Sequence, residues 1–323
     1  MKSIMVLFVI LWSSQGFAQQ LPIRTPPMIR ISDSVEKQSF IYSVKDTNTL
    51  GLDIYQLKGR DASVKRPCIL FMFGGAFMAG ERDDSIYNNY FNRLAESNYI
   101  VVSISYRLGL RGVKNISKFN LAPLRNAVNL AVDDLFDATN WMIQRANQFG
   151  IDTSKIILSG SSSGAITVLT AEFERNNNYA AANKLPPGFQ YAAVISFSGA
   201  ILSFDGRLKY SNPPAPKLMF HGTADRIVPY NKIRFFNKGF YGSGWIAKVS
   251  KEKNYPYFLY SEEGLGHEVS VLPLFYNMSE IQYFVDNYVM NQKRYQIDEL
   301  FKDPDQKPMM LLNPAELMKK LEH

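Results

Sequence analysis

The chain has 323 residues, 46% of them hydrophobic and 20% charged, enough apolar material for one large core without requiring a second domain. A formal net charge of +7 raises the question of nucleic acid. The basic residues, however, are scattered through segments such as "KGRDASVKRP", "YNKIRFFNKG" and "NQKRYQ" and usually sit beside acids, which describes a solvated surface rather than a phosphate-binding stripe. A nucleic-acid partner is not expected.

The first stretch, "MKSIMVLFVILWSSQGFAQQ", has a lysine, an apolar run from Ile4 to Trp12 and small residues at Gly16 and Ala18. It reads as a secretory signal, residues 1–18, cleaved after Ala18, and its apolar run is too short to span a bilayer. No transmembrane span is expected in the mature protein. Cys68, the single cysteine, lies inside "CILFMF", so it forms no internal disulfide and reads as a small buried hydrophobe. An exported chain without disulfides fits a bacterial periplasm or cell exterior.

Further along, "SFIYSV" and "LGLDIYQL" predict an opening antiparallel pair, and "CILFMF" and "YIVVSISY" predict strands buried on both faces. Apolar residues at helical spacing from Leu124 to Phe149 predict a long helix ending at Gly150. There follow a strand "KIILS", a helix "AITVLTAEFE", strands "YAAVISFS" and "KLMFHG", a helix around "PYNKIRFFNKGF", a strand "YFLYSE" and a last helix around "SEIQYFVDNYVM". Strands alternating with helices predict an α/β fold with a mainly parallel sheet, its ligands at the carboxyl ends of the strands. One domain is assigned to residues 19–292, and residues 293–323 are assigned to a charged, helix-prone C-terminal tail with no chemistry.

The hydroxyl-rich stretch "KIILSGSSSGAITVL" has one register with a serine two positions from a glycine on either side, Gly160-Ser161-Ser162-Ser163-Gly164. A residue turning sharply from strand to helix sits in strained backbone space where flanking side chains would clash, so this G-x-S-x-G points to Ser162 as a nucleophile. The same residues also make ordinary loops, and the preceding strand and following helix favour the nucleophile. "KLMFHGTADRIVPY" places Asp225 after one strand and "FLYSEEGLGHEV" places His267 after the next. A serine hydroxyl needs an imidazole to take its proton and a carboxylate to fix and stabilise that imidazole. Of three histidines, His323 is terminal and His221 is better suited to bracing the acid loop, which leaves His267 as base. Asp225 is the candidate acid. Glu262, Glu263 and Glu268 lie too close to His267 in sequence to be preferred, with Glu268 as the fallback. In "LFMFGGAFMAGERDD", Gly75 and Ala76, together with Ser163, are the candidate oxyanion N–H donors, and Gly74 shapes the turn.

Together "FGGAF", "GSSSG", "HGTADRIVP" and "GLGHE" resemble the esterase and lipase branch of the α/β-hydrolase fold, from about Ser39 to Asn291. "LGLDIYQ" and "ISYRLG" are similar to bacterial carboxylesterases and feruloyl-esterase-like proteins. The resemblance implies an eight-stranded, mainly parallel sheet flanked by helices. Its usual His-Gly-Gly-Gly loop is matched at Gly74 and Gly75 and departs at Phe73 and Ala76, and Ser161 stands where relatives often carry an acid. The gap "ILSFDGRLKYSNPPAP" is too short for the helical cap of many relatives, so only a minimal cap is expected. Phe77, Tyr106, Leu202, Phe204 and Ile227 are candidate substrate-lining residues. The expected activity is hydrolysis of short-chain or aromatic carboxylic esters through an acyl-enzyme, with acyl groups on plant polysaccharide as an analogy-based candidate. A prolyl-oligopeptidase-type peptidase, a silent binding module and an acyltransferase are the alternatives. The dispersed histidines and the lack of a phosphate-cradling loop predict no metal and no cofactor. The oligomeric state is left open.

Overall fold

Each long apolar run becomes a strand of one nine-stranded sheet in the computed structural model, which describes residues 32–306 and 308 apart from 46, 114–119 and 205. The strands of the main sheet are β1 (Val35–Lys45), β2 (Asn48–Leu57), β3 (Arg66–Met72), β4 (Ile100–Ile104), β5 (Ile151–Ser161), β6 (Ala193–Phe197), β8 (Lys217–Gly222), β11 (Tyr257–Glu262) and β12 (Gln296–Phe301), in the spatial order β1-β2-β4-β3-β5-β6-β8-β11-β12. β2 runs antiparallel to both β1 and β4, and every other pairing is parallel. Strands covered on both faces must be apolar throughout, and Cys68 to Met72, Ile156 to Leu158 and Ala193 to Ile195 are all fully buried.

The helices are α1 (Asn88–Glu96), α2 (Ala122–Gln144), α3 (Ser163–Asn176), α4 (Ser243–Glu252) and α5 (Met278–Phe284), the last running on as a π-helical turn, Val285–Met290. α1 carries the chain back from β3 to β4 while α2 carries it forward to β5, so right-handed crossovers put them on opposite faces. α5 joins α1, with Gln282 donating to the Ser97 hydroxyl at 2.6 Å. Gly150, left-handed at φ 62°, closes the turn Ala146–Phe149 after α2, as its position in the sequence predicts. No helix among the described residues is long and apolar enough to cross a membrane. The expected signal sequence and the helix-prone end of the tail lie outside the described residues.

Two expectations change. The sheet has nine strands rather than eight, because β12 pairs with β11 from inside the stretch assigned to the tail, so the domain runs past residue 292. An edge strand needs cover from only one neighbour, and "QIDELF", with Asp298 and Glu299 exposed, lacks the apolar run that marks an inner strand. The helix around "PYNKIRFFNKGF" is instead a hairpin of β9 (Lys232–Phe235) and β10 (Lys238–Gly242). A left-handed Phe236, φ 52°, turns the chain there, and a Cβ at Gly239 would come within 2.4 Å of the Tyr241 ring. β10 also pairs with β7 (Ala200–Ser203), which makes a second, three-stranded sheet in the order β7-β10-β9.

At the opposite end of α3, Glu172 and Lys217 are 1% and 2% exposed and pair at 2.9 Å, tying that helix to the start of β8. Burial lowers the Lys217 pKa, and the facing carboxylate opposes that shift. Breaking such a pair strands a charge in the core, so Lys217→Ala is expected to cost about 3–5 kcal/mol of unfolding free energy, read from urea denaturation. A cost below about 1 kcal/mol contradicts this account of the pair.

Candidate active site

The carboxyl ends of the central strands finish level with one another. Met72 of β3 is opposite Gly160 of β5, Ser161 opposite Phe197 of β6, and Gly222 of β8 opposite Glu262 of β11. The segments leaving this rim carry Gly75, Ala76, Ser162, Asp225 and His267.

Ser162 adopts φ 51° and ψ −116°, between the end of β5 and the first residue of α3. Such a conformation costs about 1–3 kcal/mol and persists only where the surroundings enforce it. Here they do so by close backbone approach. A Cβ on Gly160 would lie 2.5 Å from the Gly164 carbonyl carbon, and one on Gly164 would lie 2.1 Å from the Met72 carbonyl oxygen. The spacing of the two glycines thus follows from packing β5, the elbow and β3 together.

The elbow brings the three residues singled out by chain order into one relay. The Ser162 hydroxyl lies 2.7 Å from His267 Nε2, and His267 Nδ1 lies 2.8 Å from Asp225 Oδ2. Because the carboxylate only accepts, Nδ1 carries the ring proton and Nε2 is left to accept from the serine. Asp225 is 8% exposed and His267 5%. Asp225 Oδ1 accepts from the N–H groups of Ile227 and Val228 at 2.9 and 3.0 Å. Burial alone raises the Asp225 pKa. The facing His267 and hydrogen bonds from His221 and His267 outweigh it and hold the carboxyl well below the usual carboxylate range.

The acid and histidine loops are laced to each other. Ala224 N–H donates to the Leu265 carbonyl at 2.9 Å, Thr223 N–H to Glu262 at 3.0 Å, and Gly264 N–H to the Thr223 hydroxyl at 2.9 Å. His221 braces this loop, as the sequence suggests: its Nε2–H donates to the Val228 carbonyl at 3.1 Å, and its Nδ1 accepts from Ser243 at 2.8 Å. Glu268, the fallback acid, accepts from Gly266 N–H at 2.9 Å and so serves the loop backbone. Glu263 pairs with Lys302 at 3.2 Å.

The glycine loop after β3 runs beside the elbow, where a Cβ on Gly74 would be 3.2 Å from the Ser162 Cβ. Gly75 has φ 133°, and Ala76 and Phe77 are left-handed at 55° and 60°. The Gly75 carbonyl accepts from Met78 and Ala79 at 2.9 and 3.0 Å, while no acceptor among the described residues engages the N–H of Gly75 or Ala76. Ser163, the third candidate donor, is the first residue of α3, where a helix leaves its N–H groups unpaired. Gly74 N–H is already taken by the Tyr87 hydroxyl at 3.1 Å, which leaves Gly74 its turn-shaping part.

Several supports were not legible as motifs. Ser161, in the position often acidic in relatives, donates to the Ser270 carbonyl at 2.8 Å and so ties the elbow to the histidine turn. The Tyr106 hydroxyl donates to the Phe73 carbonyl at 3.0 Å and lies 3.3 Å from the Ser163 hydroxyl. Arg82, just past the glycine loop, lies 3.2 Å from the fully buried Asp53 of β2. Arg107 N–H donates to Asp134 at 2.8 Å, within a cluster where the Lys45 ammonium sits 2.6, 2.8 and 2.5 Å from Asp133, Asp134 and Asp137. That ammonium occupies the place a cation would take among the three carboxylates.

The five substrate-lining candidates divide. Phe77 and Tyr106 are buried, 2% and 3% exposed, and pack edge to face with centroids 6.4 Å apart, so they brace the glycine loop rather than offer open surface. Leu202 and Phe204 line a cavity of about 440 Å³ between α2 and α3, with the Arg125 guanidinium 4.6 Å over the Phe204 ring. Ile227 is half-buried beside the acid.

The depressed Asp225 pKa gives a pH-dependent prediction. A carboxyl held below its ordinary value, 3.8, stabilises the fold above that value and loses the contribution as pH falls through the lower, folded value. Asp225→Asn is therefore expected to unfold more easily than wild type at pH 7, with the gap narrowing below ~4 in denaturant titrations across pH. A gap independent of pH contradicts the assignment.

Comparison with known proteins gives a consistent picture. The BD-FAE family model matches residues 52–205. The para-nitrobenzyl esterase of Bacillus subtilis is 30% identical over 102 residues, 32% of this chain and 20% of that protein. Esterase-5C of Drosophila pseudoobscura pseudoobscura is 34% identical over 119 residues, 37% of this chain and 20% of that one. The cAMP-regulated D2 protein of Dictyostelium discoideum is 30% identical over 141 residues, 43% and 25% of the two chains. The matches thus span a quarter or less of these relatives' own length. Among solved structures, the apo form of Thermogutta terrifontis esterase 2 superposes with a TM-score of 0.57 at 20% identity, covering 85% of this chain and all of that one. With the sheet order, the elbow after β5 and these similarities together, the chain has the α/β-hydrolase fold and is similar to esterases built on it.

Proposed function

We propose that the protein is a serine carboxylic ester hydrolase, working through an acyl-enzyme on Ser162. The observation that carries this reading is the continuous relay from the Ser162 hydroxyl to His267 at 2.7 Å and on to Asp225 at 2.8 Å, in a site where Ser162 keeps partial access to solvent.

In the first half-reaction His267 Nε2 takes the hydroxyl proton as Ser162 Oγ bonds to the ester carbonyl carbon. The carbonyl oxygen becomes an oxyanion met by the N–H groups of Gly75, Ala76 and Ser163. Collapse breaks the bond to the alkoxy oxygen, which leaves as the alcohol with the proton from Nε2. Water then repeats the sequence: His267 takes a proton, hydroxide oxygen bonds to the acyl carbon, and the serine leaves reprotonated with the acid as product. Asp225, kept ionised across the neutral range, stabilises the imidazolium formed in each half.

Short acyl groups suit a site whose chain connection after β6 is too short for a helical cap. Related esterase 2 of Thermogutta terrifontis has been solved with propionate and with butyrate bound. Aromatic acyl groups and acyl groups on plant polysaccharide enter by analogy with the matched BD-FAE family. The reading includes export to the periplasm or cell exterior on the strength of residues 1–18.

The test is a panel of p-nitrophenyl acetate, butyrate and octanoate, methyl ferulate, acetylated xylan and a Gly-Pro anilide, run with wild type and Ser162→Ala. Ester turnover is expected, greatest on the shorter acyl chains, and falling by roughly five to six orders of magnitude in the variant. Equal turnover by the variant removes Ser162 as nucleophile. Cleavage of the anilide alone identifies a peptidase, and no cleavage of any substrate by folded wild type identifies a binding module.

A further inference from the structure

The positive charge of this chain is concentrated. Between Gly206 and Lys251 the sequence holds nine Lys and Arg and one acid, Asp225, a net of +8 against +7 for the whole chain. The pattern of cations beside acids therefore fails in this segment. Its only acid is committed to His267, and Lys217 is buried against Glu172. The eight other cations are exposed.

The β9–β10 hairpin lies in this segment, with β9 and the turn on the surface. Every side chain described from Asn231 to Lys238 is exposed, as fits β9 at the open edge of the small sheet and the turn that follows it, whereas β10 is held between β9 and β7. Ile233 is 64% and Phe236 79% exposed, and cations alternate with them at Lys232, Arg234 and Lys238. Ile233 faces Phe240 across the hairpin, Arg234 Nε–H donates to the Phe236 carbonyl at 2.9 Å, and Lys232 Nζ sits 3.4 Å over the Trp245 ring. Scattered single apolar residues on a surface need no explanation. Large apolar side chains on an exposed edge strand and turn, set among cations and with no nearby acid in the segment, have the make-up of an element that enters a membrane interface.

We propose that the β9–β10 hairpin docks the protein on an anionic lipid surface. Ile233 and Phe236 enter the boundary between headgroups and acyl chains, while Arg234 and Lys238 meet the lipid phosphates. Two features favour lipid over an acidic polysaccharide. The exposed face is an edge strand and turn that line no cavity described in the structure, and Ile233 has no ring to stack on a sugar. Docking also orients the site. The hairpin continues directly from the acid loop, with Gly242 N–H donating to Asn231 at 2.6 Å and Gly244 N–H to Tyr230 at 2.9 Å. The Asp225 side of the site is thereby held toward the surface.

The test is co-sedimentation of the full chain with vesicles of phosphatidylcholine alone and of phosphatidylcholine with phosphatidylglycerol in equal parts. It uses wild type, Arg234→Glu/Lys238→Glu and Ile233→Ser/Phe236→Ser. All three share the same N-terminal apolar run, so a difference between them reports the hairpin alone. Wild type is expected to bind the anionic vesicles and to be released by salt. Each double variant is expected to bind them about tenfold or more weakly. Unchanged circular dichroism and unfolding midpoint show that the variants are folded. Equal binding by all three proteins, equal binding to both vesicle types, or retention on polygalacturonate without vesicle binding overturns the proposal.

Discussion

The structure depends on one strained residue. Ser162 stands at φ 51° because the chain must reverse from β5 into α3 within a single residue, and the reversal is possible only where Gly160 and Gly164 let three backbones touch. The contact of Gly164 with the Met72 carbonyl seats the end of β3 against the elbow, so the glycine loop that follows begins beside the serine. The proposed nucleophile and oxyanion donors are thus set by one packing contact, and neither Gly160 nor Gly164 tolerates a Cβ.

A second constraint sets the proposed base and acid. Parallel strands in register deliver the loops after β8 and β11 to the same rim, and hydrogen bonds between those loops fix their separation. His221 and Glu268 bond the loop backbone, and His221 Nε2 also lies 3.4 Å from Asp225 Oδ2, so that Asp225 is held facing His267. Ser161 then links the histidine turn back to the elbow. The site is a closed circuit of backbone contacts in which the side chains proposed for chemistry have little freedom to be elsewhere.

Much of this was legible in the sequence, for physical reasons that vary by element. Inner strands announce themselves because burial on both faces demands continuous apolar runs, as in "CILFMF". The elbow is legible because its two glycines are sterically obligatory, and the chain order of Ser162, Asp225 and His267 follows from which strand ends can converge. The edge strand "QIDELF" was not legible, since one open flank lets charges remain. The β9–β10 hairpin was misread because its apolar spacing also suits a helix, and only the turn at Phe236 decides between them. Tyr106 and Phe77 were legible as aromatic neighbours of the site but not as its buried braces, because burial depends on partners distant in sequence. Ser161, Tyr87 and Arg82 left no signal: a serine, tyrosine or arginine supporting a loop looks like any other.

The most direct test of the central claim, that Ser162 is a nucleophile activated through His267, is covalent labelling with a fluorophosphonate followed by peptide mass spectrometry. The account predicts a single stoichiometric adduct on Ser162, with labelling of folded His267→Ala slowed by orders of magnitude. An adduct on another serine, or labelling of Ser162 that proceeds as fast without the imidazole, would contradict it.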